Sequence, residues 1–261
     1  MVYSLDRVLV FRPERSLVGT PEHVGLEYED AELTASDGPR LHGWWLPGRG
    51  PASVLWCHGN GGNVSTQLGA ARVMVKTVGA NVLLFDYRGY GRSEGKPTER
   101  GTYRDARAAL AYVRSRPEVD PQRVVYFGRS LGAGVAAELA RTERPAALVL
   151  ESPFPGILRA ATAPRRRAWL ARLMTWALLR ARYDTAKHVR GVHAPVLVAH
   201  GDADEQIPPS LGREVYEAAN EPKQWFQIAG GGHNDTFEVG GPAYHRVLAE
   251  FIERHAGEGR R

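Results

Sequence analysis

A single cysteine, Cys57, is all that the 261-residue chain carries. Intramolecular disulfides and thiolate metal sites are thereby excluded. Cys57 ends an apolar strand-like run and reads as an inert core thiol. No stretch of about 18 apolar residues is present to cross a bilayer. Met1-Val2-Tyr3-Ser4-Leu5-Asp6-Arg7 lacks the apolar core of a secretory signal. The expectation is a soluble, cytoplasmic protein. An excess of charge of one sign is also small. Lys and Arg number 34 against 29 Asp and Glu, a formal +5, and without a basic stripe or a reading motif this surplus does not point to nucleic acid. No internal repeat or low-complexity stretch interrupts the chain.

What is present is a regular alternation of short apolar runs and amphipathic segments. Residues 24–34 and 41–46 read as an antiparallel strand pair with Asp37-Gly38 as its turn. Further strands are expected near 53–57, 81–85, 123–127, 147–150, 196–199 and 224–228. Helices are expected near 64–78, 103–115, 131–141, 210–219 and 242–255. In the second of these, Tyr103, Ala106, Leu110 and Val113 fall on one face at helical period. The pattern predicts one α/β domain over residues 1–261, with a mostly parallel eight-stranded sheet flanked by helices.

Ser130 stands in Gly128-Arg129-Ser130-Leu131-Gly132, directly after the apolar run 123–127 and directly before a helical segment. A sharp strand-to-helix turn lifts a serine hydroxyl into an exposed, strained position, and glycines two residues to either side remove Cβ atoms that would clash. Ser130 is the candidate nucleophile, and the N–H of Leu131 is the matching oxyanion donor. A second G-x-S-x-G, Gly91-Arg92-Ser93-Glu94-Gly95, has Pro97 where the helix should follow, so Ser93 reads as a loop residue. The nucleophile needs a base, and the base a carboxylate. Of nine histidines, His233 follows the last expected strand inside Gly230-Gly231-Gly232-His233-Asn234-Asp235. His245 and His255 read as surface residues, and His58 and His200 as buried structural ones. Asp202, Asp204 and Glu205 compete for the acid position after strand 196–199, with Glu151 as an outside candidate.

The segment His200-Gly201-Asp202-Ala203-Asp204-Glu205-Gln206-Ile207-Pro208 resembles the alpha/beta-hydrolase superfamily, whose pattern there is His-Gly, two residues, Asp, two residues, an aliphatic residue and Pro. By that resemblance Asp204 is the acid, leaving Asp202 to brace the turn and Glu205 to face water. His58-Gly59-Asn60-Gly61-Gly62-Asn63 is similar to the superfamily's His-Gly-x segment. The resemblance implies Asn60 as the second oxyanion donor, with Gly61 next. A phosphate cradle is the other reading of these glycines, but the loop has neither phosphate-loop nor dinucleotide spacing. Phe85-Asp86-Tyr87-Arg88-Gly89-Tyr90-Gly91 resembles the branch of abhydrolase-domain depalmitoylases and related bacterial hydrolases, and is expected to shape a loop beside the site. Many members of that branch carry an N-terminal anchor or a palmitoylated cysteine cluster. The lone cysteine and the polar start of this chain favour a soluble esterase.

Between 152 and 192 the β-α rhythm breaks, and an insertion after that strand lies above the C-terminal edge of the sheet, where ligands of open α/β sheets bind, so a small helical cap is expected. Phe154, Ile157, Leu158, Trp169 and Leu173 are the candidate pocket residues. The run 165–180 reads either as a helix packed by its Trp/Leu stripe or as a roof whose arginines meet anionic headgroups, hence a possible weak association with an anionic membrane surface. The implied activity is two-step acyl transfer on an ester by Ser130, His233 and Asp204, without metal or organic cofactor. His200, Asp202 and Asp204 are too few ligands for a hard-cation cage. A thioesterase, a serine peptidase, an acyltransferase and a silent lipid- or partner-binding protein stay open. The substrate and the oligomeric state are not specified.

Overall fold

The computed structural model describes residues 9–161 and 181–257. Among them ten strands form: β1 (Arg12–Pro13), β2 (Glu29–Thr34), β3 (Arg40–Leu46), β4 (Ser53–Cys57), β5 (Gly61–Gly62), β6 (Asn81–Phe85), β7 (Val124–Arg129), β8 (Ala147–Glu151), β9 (Val196–Gly201) and β10 (Lys223–Ile228). Eight of them make one sheet in the order β10-β9-β8-β7-β4-β6-β3-β2. It is mostly parallel; β3 runs antiparallel to both β2 and β6. Strands β4, β6, β8 and β9 are buried along their whole length, as continuous apolar runs in a sheet covered on both faces should be.

The helices are α1 (Leu68–Val73), α2 (Glu99–Ser115), α3 (Leu131–Thr142), α4 (Ile157–Ala161), α5 (Thr185–Val189), α6 (Pro209–Ala218) and α7 (Thr236–Ala256). One face of the sheet packs on α2, α3, α5 and α6, and the other on α1 and α7. Two registers fix where the C-terminal ends of the strands lie. Pairing of β7 with β8 sets Arg129 opposite Glu151. Pairing of β10 with β9 sets Ile228 opposite Gly201, so the two strands end level with each other.

Several boundaries differ from those read in the sequence. The strand expected from 24 is β2 and begins at Glu29, because Pro21–Val24 closes a 3-10 turn ended by Gly25 at φ +70°. Helix α2 begins at Glu99, a turn before 103. The Thr98 side chain accepts from the Gly101 N–H, and the Glu99 carboxylate accepts from the N–H groups of Arg182 and Tyr183. Segment 64–78 is not one helix but a 3-10 turn (Val64–Gln67), α1, and a π-helical turn (Met74–Val78) ended by Gly79 at φ +84°. Helix α7 starts at Thr236 and kinks at Gly241, before Pro242. The expected cap spans 152–192. Its stretch 162–180, including Trp169, Leu173 and the arginine-rich run, lies outside the described residues.

Candidate active site

Ser130 occupies the junction of β7 and α3 with φ +53° and ψ −117°, a backbone geometry that costs a non-glycine residue about 1–3 kcal/mol. The junction can be this tight because of its glycines. A Cβ on Gly132 would lie 2.0 Å from the Cys57 carbonyl oxygen, and one on Gly128 would lie 2.4 Å from that of Gly132. The Ser130 N–H donates to the Glu151 carbonyl at 2.9 Å.

His233 lies in the loop after β10. Its Nε2 is 2.9 Å from Ser130 Oγ, and its Nδ1 is 2.6 Å from Asp204 Oδ2. An ionised carboxylate only accepts, so Nδ1 carries the proton and Nε2 accepts from the serine hydroxyl. Asp204 follows β9 and is buried; its Oδ1 accepts the N–H groups of Gln206 and Ile207 at 2.9 and 2.8 Å. Burial would raise its pKa. Hydrogen bonds from His200, His233 and the Ile207 N–H outweigh it and hold the carboxyl well below the usual carboxylate range. The loops carrying Asp204 and His233 are tied together: Ala203 N–H donates to the Gly231 carbonyl at 2.9 Å, and Gly230 N–H to Asp202 Oδ1 at 2.7 Å. Asp202 thus braces the turn, and Glu205 is exposed.

The other candidates are committed elsewhere. Glu151 is buried and accepts from Thr236 and Tyr244 at 2.9 and 2.7 Å, with Arg129 Nε 3.2 Å away. Arg129 in turn donates to the His233 carbonyl at 2.8 Å. The sequence gives no sign of this link, because nothing in the motif marks the residue before the serine. Ser93 is buried; its hydroxyl donates to the Asp86 carbonyl and accepts the His42 N–H. His200 and His58 are buried, and His200 Nε2 donates to the Ile207 carbonyl at 2.9 Å. His245 and His255 are half-buried rather than at the surface. His245 donates to the Phe237 carbonyl, and the His255 ring packs edge-on to Phe251. Burial pushes the Cys57 thiol up to about 12, an unreactive state.

Beside Ser130, the loop after β4 is held from beneath. Tyr87 and Tyr90 hydroxyls donate to the carbonyls of His58 and Asn60 at 3.1 and 2.8 Å, and Asp86 accepts the Val64 N–H at 2.9 Å. From above, β1 pairs with β5, Arg12 N–H donates to the Asn60 carbonyl at 2.9 Å, and the Asn60 amide donates to the Val10 carbonyl at 3.1 Å. Two hollows meet at Ser130 and His233. One, of about 110 Å³, has an apolar wall of Leu9, Val10, Phe154, Ile157, Ala160 and Ile207, with Asn60 and Leu131 beside the serine. The other, of about 390 Å³, is polar and reaches Arg12, Arg129, Gln67 and Asn234. Of the candidate pocket residues, Phe154 and Ile157 line the apolar wall of the first hollow, and Leu158 is exposed and off that wall. Leu9 and Val10 carried no motif that could have flagged them, whereas Ile207 sits at the aliphatic position of the acid loop.

The family model described as serine aminopeptidase, S33, matches residues 49–186. An uncharacterized Mycobacterium tuberculosis protein is 40% identical over 261 residues, covering 98% of this chain and 89% of its own. The Arabidopsis thaliana alpha/beta hydrolase domain-containing protein WAV2 is 36% identical over 283 residues, covering 100% and 92%. Among solved structures, an esterase of Pyrococcus furiosus superposes with a TM-score of 0.77 over 95% of this chain and 99% of that one, at 23% identity. Strand order, the serine at a strand-helix junction and relatives matching nearly end to end converge: the chain belongs to the alpha/beta-hydrolase superfamily.

Proposed function

We propose that this protein is a serine hydrolase that cleaves carboxylic esters by way of an acyl-enzyme on Ser130. The observation that carries the reading is the unbroken relay Ser130 Oγ, His233 Nε2, His233 Nδ1, Asp204 Oδ2, with contacts of 2.9 and 2.6 Å. In the first half-reaction Ser130 Oγ bonds to the ester carbonyl carbon as its proton passes to His233 Nε2. The carbonyl electron pair moves onto oxygen, where the N–H groups of Leu131 and Asn60 stabilise it. The tetrahedral intermediate collapses by breaking the bond to the alcohol oxygen, which leaves with the proton from His233. In the second half-reaction water gives a proton to His233, adds to the acyl carbon and displaces Ser130 Oγ, which recovers that proton; the product is the carboxylic acid. Asp204 keeps Nδ1–H oriented and stabilises the transient imidazolium. The first N–H of a helix has no acceptor within the helix, which suits Leu131 to the oxyanion. The apolar hollow suits the acyl chain.

A peptidase reading is favoured by the family model's description as serine aminopeptidase. An aminopeptidase needs a negative group to receive a free amine, and among the described residues the apolar hollow presents no carboxylate on its wall. Ester cleavage is therefore the better-supported chemistry. The test is a panel of 4-nitrophenyl esters, thioesters and aminoacyl anilides, with a fluorophosphonate probe read by intact mass. One phosphonyl group per chain is expected, absent in Ser130→Ala, with kcat/KM for esters falling about 10⁴-fold in that variant. Labelling that survives in Ser130→Ala overturns the assignment.

A further inference from the structure

Building on the serine-hydrolase reading, we infer that the polar hollow receives the leaving alcohol of the ester and selects one that carries an anionic group together with a hydroxyl. Arg12 is the charge that reads it. The strand β1 holds its backbone in register with Gly61, beside Asn60. Its side chain is exposed on the rim of the hollow, and among the described residues its guanidinium has no hydrogen-bond or ion-pair partner. Arg129, the other arginine there, is already engaged by Glu151 and the His233 carbonyl. No aspartate or glutamate lines the hollow among the described residues, so no carboxylate there competes for the guanidinium, a setting that favours a carboxylate or phosphate of the substrate.

A second observation points the same way. Gln67 lines this hollow and is only 7% exposed; its Nε2 donates to Thr66 Oγ1 at 2.9 Å, but its Oε1 has no partner. A buried acceptor left unpaired calls for a donor, and a hydroxyl on the alcohol portion supplies one. The hollow with the apolar wall also reaches Ser130 and takes the acyl group, so the two halves of the substrate sort between two hollows that share Ser130 and His233.

Butyryl esters that differ only in the alcohol test this: glycerol, glycerol 3-phosphate, glycerate, and propanediol phosphate, which lacks the extra hydroxyl. The expected kcat/KM is about 10-fold higher for the anionic glycerol-type esters than for the glycerol ester, a ratio set by one charge-assisted contact. Which anionic ester is faster identifies the anion as phosphate or carboxylate. The propanediol phosphate ester should be slower than the glycerol 3-phosphate ester. The anionic-to-neutral ratio should collapse toward one in Arg12→Gln, persist in Arg12→Lys, and shrink as salt screens the contact. A glycerol ester cleaved as fast as both anionic ones, in a protein that still takes up one phosphonate, overturns this inference alone. A ratio unchanged in Arg12→Gln removes Arg12 from it. Failure to cleave any ester together with failure of phosphonate labelling overturns the hydrolase reading and this inference with it.

Discussion

At Ser93 and Ser130 the same five-residue spacing has two fates, decided by what each hydroxyl touches. Ser93 Oγ is saturated by the Asp86 carbonyl and the His42 N–H, so Ser93→Ala should cost about 1–2 kcal/mol of unfolding free energy while ester turnover persists; urea melts and a 4-nitrophenyl acetate assay check both. Asp204 carries a different signature. Its folded pKa is depressed, so its contribution to stability is present above the unfolded value near ~4 and is lost as pH falls through the folded one. Asp204→Asn should therefore be less stable than the parent at pH 7, with the gap closing as the pH is lowered below about 4, as urea melts across pH would show. The same variant should lose about 10⁴-fold in kcat, because an amide oriented wrongly favours the other imidazole tautomer.

The elements that carry the site were legible where the sequence carries strong local pattern. Strands β4, β6, β8 and β9 are mostly apolar, with one polar residue each (Ser53, Asn81, Glu151 and His200), and the Ser130 elbow has the glycine spacing that its tight turn demands, whereas Asp204 stands out from its neighbouring carboxylates only through the superfamily resemblance. Boundaries set by contacts distant in sequence were not legible. The first turn of α2 exists because Glu99 receives two N–H groups from residues 182 and 183, which no window around 99 contains. The Arg88 cluster is of the same kind. Its guanidinium joins Asp37, at the β2–β3 turn, to Asp105 on α2, with contacts of 2.8 Å to each. Burial pushes the Asp105 carboxyl up despite that partner, whereas the hydrogen bond from Arg88 holds the more open Asp37 well below the usual range. Arg88→Ala would strand the Asp105 carboxyl and should cost about 3–5 kcal/mol. Adding Asp105→Asn should restore part of it, a recovery that a double-mutant cycle in urea would measure.

Across the whole molecule, the segment before β2 folds back over the site. Val10 and Phe11 are buried, and Phe11 meets Tyr183 edge-on at 6.3 Å. A chain starting at Glu14 should lose about 1.5–3 kcal/mol for the phenylalanine alone. It should also raise KM for a hexanoyl ester more than for an acetyl ester, because the wall formed by Leu9 and Val10 is gone, while Ser130 still takes up phosphonate. Michaelis constants on the two 4-nitrophenyl esters decide it. Arg129 adds a mechanical consequence. Adjacent to Ser130 in the chain and hydrogen-bonded to the His233 carbonyl, it acts as a clasp between the elbow and the imidazole loop. The distance from Ser130 Oγ to His233 Nε2 should therefore hold on warming until the clasp opens, and ester turnover followed across temperature should then stop abruptly.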